Sequence, residues 1–152
     1  MKITLISTST FPADQGLRTL SACLKREGHI VKMIFLPLGE DYFRKYTKDE
    51  LRQVEEQSKN SGLIGISAME STSGRAQQLI DLFEKIGTPV VWGGPHPTFF
   101  PQRCFERCNI IAVGEAEKAI LELASKLEKN EDITSIKNLW IRKNGKEFIN
   151  PV

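Results

Sequence analysis

Short, almost unbroken apolar runs alternate along this chain with stretches whose apolar residues recur at helical spacing, and this alternation limits the fold more than any other feature. Residues 2–7 read as a first strand. After a polar loop, Leu17, Leu20, Cys23 and Leu24 fall on one helical face, with Lys25 and Arg26 in the last turn and Gly28 as the stop. Residues 30–36 form a second strand closed by Pro37. Thr47 with Glu50 three residues on fits a capping box, which opens a helix near 48–60 whose apolar face is thin, Leu51 and Val54. Residues 63–68 are apolar on both faces, as a buried parallel strand should be. A helix then runs through Ala76, Leu79, Ile80, Phe83 and Ile86 and stops at Gly87. Residues 89–92 and 110–113 supply a fourth and a fifth strand. The last helix carries Ala119, Ile120, Leu123, Ala124 and Leu127, with Glu115 and Glu117 at its positive end and Lys126 and Lys129 at its negative end.

Five such steps predict an α/β fold, a doubly wound parallel sheet with helices on both faces. The remaining piece differs: two short runs flank Asn144-Gly145, the strongest two-residue hairpin signal. The expected division is a Rossmann-like domain over 1–132 and a hairpin or linker over 133–152 that leads toward further protein.

At 152 residues the chain has the length of one domain, and a formal charge of +2 gives no argument for nucleic acid or an anionic membrane. No apolar stretch approaches the roughly 18 residues needed to cross a bilayer. The N-terminus does not read as a signal peptide, so the cytoplasm is the expected compartment. Cys23, Cys104 and Cys108 are an odd number, unsuited to a disulfide framework. Cys104 and Cys108 could begin C-x-x-x-C-x-x-C, but the third position is Ile111. These cysteines read as structural, with no metal site expected.

In an open parallel sheet, ligands bind beyond the carboxyl ends of the strands, where the strand order reverses. The segments on that edge are 8–16, 68–74, 93–101 and 114–117. The third holds Gly93-Gly94 and three prolines, so ligand atoms can approach the backbone of a loop whose shape is set in advance. Gly114 lies at the end of the neighbouring strand. Ser67 to Ser73 is rich in hydroxyls and opens a helix, with Ser71 or Ser73 as the expected N-cap. His96 lies on this edge and either hydrogen-bonds within its loop or borders a ligand; no nucleophile or carboxylate beside it suggests a catalytic base. His29, just after Gly28, is expected at the surface of the opposite edge.

Several readings fail on the residues. The loop after the first strand, Ser7-Thr8-Ser9-Thr10-Phe11-Pro12, lacks the G-x-G-x-x-G of a dinucleotide binder and the Gly-Lys-Ser/Thr of a P-loop. Phe11-Pro12 also replaces the glycine of a flavin-phosphate loop, and Ser67 stands where a phosphate-receiver domain needs aspartate.

Gly16-Leu17, Ile64-Gly65-Ile66-Ser67, Gly93-Gly94-Pro95-His96-Pro97-Thr98 and Val113-Gly114-Glu115-Ala116-Glu117, in this order, resemble the N-terminal cobalamin-binding domain of cobalamin-dependent radical S-adenosylmethionine enzymes. The G-G-P-H-P-T and G-E-x-E pair is the most specific part, and the ending from Asn138 to Pro151 is similar to the hairpin that leads to the radical domain in that family. The resemblance implies a flavodoxin-like five-stranded sheet of order 2-1-3-4-5 with a hairpin extension. It implies cobalamin on the carboxyl edge, its nucleotide tail against the sheet near the glycine loops. The residues it places at the cofactor are Thr10, Phe11, Gly16, Leu17, Ser67, Met69, Glu70, Ser71, Thr72, Gly93, Gly94, His96, Gly114 and Glu115. Other cobalamin domains carry D-x-H-x-x-G after the first strand, with its histidine on cobalt. Here Asp14-Gln15-Gly16-Leu17-Arg18 has no histidine, so no protein imidazole on cobalt is expected. A parent enzyme would add a [4Fe-4S] cluster, S-adenosylmethionine and, most commonly, methyl transfer, none of them expected of this domain alone. The other reading is the same fold kept as a structural or protein-interaction domain without cobalamin.

Overall fold

The structure, a computed structural model, describes residues 1–9, 12–36, 41 and 43–152. The elements follow in the order β1 (Lys2–Ser7), α1 (Gln15–Arg26), β2 (Ile30–Phe35), α2 (Lys48–Gln57), β3 (Leu63–Ser67), α3 (Ser73–Ile86), β4 (Val90–Gly93), α4 (Pro95–Phe99), α5 (Pro101–Phe105), β5 (Ile110–Ala112), α6 (Glu117–Glu128), β6 (Leu139–Lys143) and β7 (Lys146–Ile149). They build one sheet of order β2-β1-β3-β4-β5-β6-β7. The first five strands are parallel in the predicted order 2-1-3-4-5. The hairpin forms as expected, with Asn144 and Gly145 both at positive φ, 52° and 74°. It continues the sheet: β6 pairs antiparallel with β5, Ile110 opposite Ile141 and Ala112 opposite Leu139. Leu139 and Ile141 are buried against the same core as Ile110 and Ala112, which is why the hairpin stays with the sheet.

Helix boundaries follow their signals where a local interaction sets them. Thr47 Oγ1 accepts the Glu50 amide at 3.2 Å and Glu50 Oε2 accepts the Thr47 amide at 2.7 Å, so the capping box forms. Gly28 and Gly87 end α1 and α3 at φ +84° and +79°. Three expectations are corrected. The helix expected near 48–60 ends at Gln57, because Ser58 already turns out of the helix as its C-cap. Neither Ser71 nor Ser73 caps α3: Thr72 takes that place, after a 3-10 turn over Glu70–Thr72 in which the Met69 amide donates to Thr72 Oγ1 at 3.2 Å. The His29 side chain is covered, 7 % exposed, with Nδ1 3.1 Å from the Met1 amine.

The sheet separates two cores. One face carries Ile6, Ile66, Trp92 and Ile111 under α2, α3 and α5; the other carries Ile3, Leu5, Val91 and Ile110 under α1 and α6. Cys104 and Cys108 belong to the first core, and burial raises their thiols to about 11 and about 12, so both stay protonated and inert near neutral pH. His96 is buried on the same face, its ring between Trp92 and Phe100 with centroids 5.5 Å away on each side. Its pKa is lowered, chiefly by burial, with Glu70 opposing and Arg103 reinforcing the shift.

Leu79, wholly buried beneath the sheet, should cost about 2–5 kcal/mol when changed to Ala, read as a lower urea midpoint at unchanged slope. The His96 pKa is depressed below 6.5, so its neutral form suits the fold above that value, and stability falls as pH drops through the depressed value. His96→Leu should flatten the decline in melting temperature over about pH 7 to 5, and an unchanged decline would remove His96 from the account.

Candidate functional site

The carboxyl edge of the sheet ends on small residues on one face only. Strand register places Leu5, Gly65 and Val91 side by side, and Ser7, Ser67 and Gly93 in the next row toward the edge. Because side chains alternate, both rows face α1 and α6. Ala112 completes the outer row: a Cβ built on Gly93 would lie 3.6 Å from its methyl. Glycine at 65 makes room where any side chain would meet Leu5 Cδ2 at 2.6 Å. On the opposite face the same strand ends carry the larger side chains Ile66, Trp92 and Ile111, all buried.

The result is a cleft of about 410 Å³ between the sheet and the N-terminal turns of α1 and α6. Its floor is Leu5, Gly65, Val91 and Ala112; its walls include Gly16, Leu17 and Leu20 from α1 and Ala116 and Ile120 from α6. That volume lies in the roughly 300–1,000 Å³ range of small-molecule sites. A shallower recess of about 250 Å³ adjoins it and is lined by the hydroxyl residues Ser7, Thr8, Ser9 and Ser67. Asp14, Ser67 and Pro95 line both, so the two spaces meet there.

Hydrogen bonds hold this rim. Ser7 Oγ donates to Asp14 Oδ2 at 2.9 Å, while Asp14 Oδ1 accepts the Leu17 amide at 2.9 Å and caps α1. Thr8 Oγ1 and Thr72 Oγ1 lie 2.7 Å apart and join the loops after β1 and β3. Arg75, 1 % exposed, gives its guanidinium to three main-chain carbonyls: Thr8 at 2.9 Å, Asp41 at 2.8 Å and Arg44 at 2.6 Å. Its pKa is lowered by burial, yet an arginine remains charged. Gly94 stands at φ +95°, where a Cβ would meet Ala68 N and O at 3.0 Å, so the loop after β4 closes on the loop after β3 only with glycine there.

Of the residues predicted from sequence, Gly16, Leu17, Ser67, Gly93, Gly94, Gly114 and Glu115 line the deep cleft together, and Met69 lines the shallow recess. Glu70 and Ser71 are exposed, and Thr72 is buried as a link between loops. The His96 ring is turned into the opposite core and lines neither space. Thr10 and Phe11 lie outside the described residues. Leu5, Val91 and Ala112 escaped sequence reasoning, and Gly65 and Thr98 were quoted in its motifs without being placed at the cofactor. The available signal was Gly65 inside a strand, where glycine marks a close approach, together with the small residue ending each inner strand.

Among the described residues, no helix is long and apolar enough to cross a membrane, and no cluster of three or more His, Cys, Asp or Glu could hold a metal ion.

The chain is 30 % identical over 130 residues to an uncharacterized methyltransferase of Pyrococcus horikoshii, PH0819, a match covering 82 % of this chain and 27 % of that protein. It superposes with a TM-score of 0.79 on the radical S-adenosylmethionine methyltransferase TsrM of Kitasatospora setae, solved with cobalamin and a [4Fe-4S] cluster, at 20 % identity. A TM-score of 0.77 relates it to the cobalamin-dependent radical enzyme OxsB, solved with aqua-cobalamin and S-adenosylmethionine, at 21 % identity. These matches cover 99 % of this chain but 29 % and 22 % of those proteins. At such identities the two structures establish the flavodoxin-like fold. Residues 1–124 match the B12 binding domain, and the chain belongs to that family of domains.

Proposed function

We propose that the chain holds cobalamin at the carboxyl edge of its sheet, with the nucleotide tail in the deep cleft and the corrin over the hydroxyl-rich recess. The observation that carries this reading is the pair of joined spaces. One lies between sheet and helices over the floor of Leu5, Gly65, Val91 and Ala112; the other lies at the rim beside Ser7, Thr8, Ser9 and Ser67. A ligand with an aromatic tail below a broad, amide-fringed ring fits that pair, whereas a small polar metabolite would leave the cleft unfilled. Gly16, Leu17, Gly93 and Gly94 would hold the tail, with Ser67 at the junction and Met69 beside the ring.

Among the described residues no histidine lines either space, in keeping with a cofactor held by shape and backbone contacts without a protein imidazole on cobalt. When bound, cobalamin would supply a carrier for a methyl group. The chain's own residues orient it: Asp14 and Arg75 fix the loops, and the apolar floor excludes water from the tail. The domain would serve as the cofactor module of a longer cytoplasmic radical S-adenosylmethionine enzyme, working with a radical domain of the same chain, and methyl transfer is the reaction that reading favours.

Purified protein mixed with hydroxocobalamin and freed of excess ligand should keep the visible corrin absorbance. Loss of all absorbance would sink the reading and favour a domain that kept the fold without the cofactor. Gly93→Leu projects a side chain into the cleft from a backbone that tolerates one, so it should weaken binding by at least about tenfold while the far-ultraviolet spectrum stays the same. Unchanged affinity would place the tail elsewhere.

A further inference from the structure

The two glycine loops of the cleft belong to different strands, and one side chain joins them. Thr98, in the short helix α4, donates from Oγ1 to the Gly94 carbonyl at 3.0 Å and accepts the Gly114 amide on the same oxygen at 3.1 Å. Among the described residues, the Thr98–Gly114 bond is the hydrogen bond that links residues 94–100 to residues 113–117. The rest of α4 is held from the other side. The His96 amide donates to the Ala68 carbonyl at 3.1 Å, and the His96 ring is buried between Trp92 and Phe100. The turn is therefore tied to the loop after β3 at one end and, through the Thr98 hydroxyl, to the loop after β5 at the other.

Both glycines sit at positive φ, +95° and +76°, where a backbone has many alternatives and needs an external tie to hold one of them. Thr98, Gly94 and Gly114 all line the deep cleft, and none lines the shallow recess. We propose that Thr98 is a positioning residue: its hydroxyl clasps the two glycine loops at one width and so sets the selectivity of the site for corrinoids that carry a nucleotide tail. The selectivity rests on the cobalamin reading above; the clasp itself does not.

Thr98→Val keeps the shape and removes both hydrogen bonds, while Thr98→Ser keeps the hydroxyl. Two outcomes are expected with ligand. Thr98→Val should bind cobalamin about tenfold more weakly and should bind cobinamide, the same corrin without its nucleotide tail, within about twofold of the parent; Thr98→Ser should restore the cobalamin affinity. Equal loss for both ligands, or no loss, would overturn the selectivity. Without ligand, hydrogen exchange at the Gly114 amide should accelerate about tenfold in Thr98→Val and recover in Thr98→Ser. Unchanged exchange would overturn the clasp whether or not any corrinoid binds, whereas a parent protein that binds neither ligand would overturn the selectivity and the cobalamin reading but not the clasp.

Discussion

The cleft exists because three adjacent strands end on side chains too small to fill the space beneath the helices above them. Ser67, Gly93 and Ala112 form the outermost row of the cleft on the face toward α1 and α6, with Gly65 one row below. A half-open cleft of this size, between the sheet and two helices, falls in the range of small-molecule sites and points to a space kept for a ligand. The same strand ends on the other face carry Ile66, Trp92 and Ile111, all buried in the first core. One fold thus uses one face as a solid foundation and the other as a receptacle, and the difference is a choice of residue at alternate positions.

A receptacle made by leaving out side chains needs its walls held by other means. Here they are held by polar links between loops: Ser7 to Asp14, Thr8 to Thr72, and Arg75 to the carbonyls of Thr8, Asp41 and Arg44. Arg75 is the most demanding of these, because a buried guanidinium needs partners to be tolerated, and each of its three nitrogens donates to a main-chain oxygen of one of two loops. Thr8 and Thr72 each hold a further partner, the Ser67 carbonyl and the Met69 main chain, so the rim is held as a network of several links.

Much of this was legible in the residues. Unbroken apolar runs named the parallel strands, Asn144-Gly145 named the hairpin, and Thr47 with Glu50 named a helix start, since each signal acts locally. That the hairpin would add to the sheet was not legible, because pairing with β5 is decided by where Leu139 and Ile141 bury. The site was found through its loops and missed through its floor: Gly65 and Ala112 look like ordinary small residues until register puts them beside Ser67 and Gly93. His96 illustrates the other limit. Its place in the loop was clear, but the positive φ of Gly94 decides that its ring turns into the Trp92 core, away from the cleft. Ser71 and Ser73 gave way to Thr72, whose hydroxyl meets Thr8 of the loop after β1 across a distance in sequence that no local signal spans.

The most direct test of this account is an amide and indole NMR titration of the protein with cobalamin. The account predicts large shifts at Gly65, Gly93, Ala112 and Gly114, with little change at the Trp92 indole on the filled face. Shifts concentrated at Trp92 and its neighbours, or spread evenly over both faces, would contradict it.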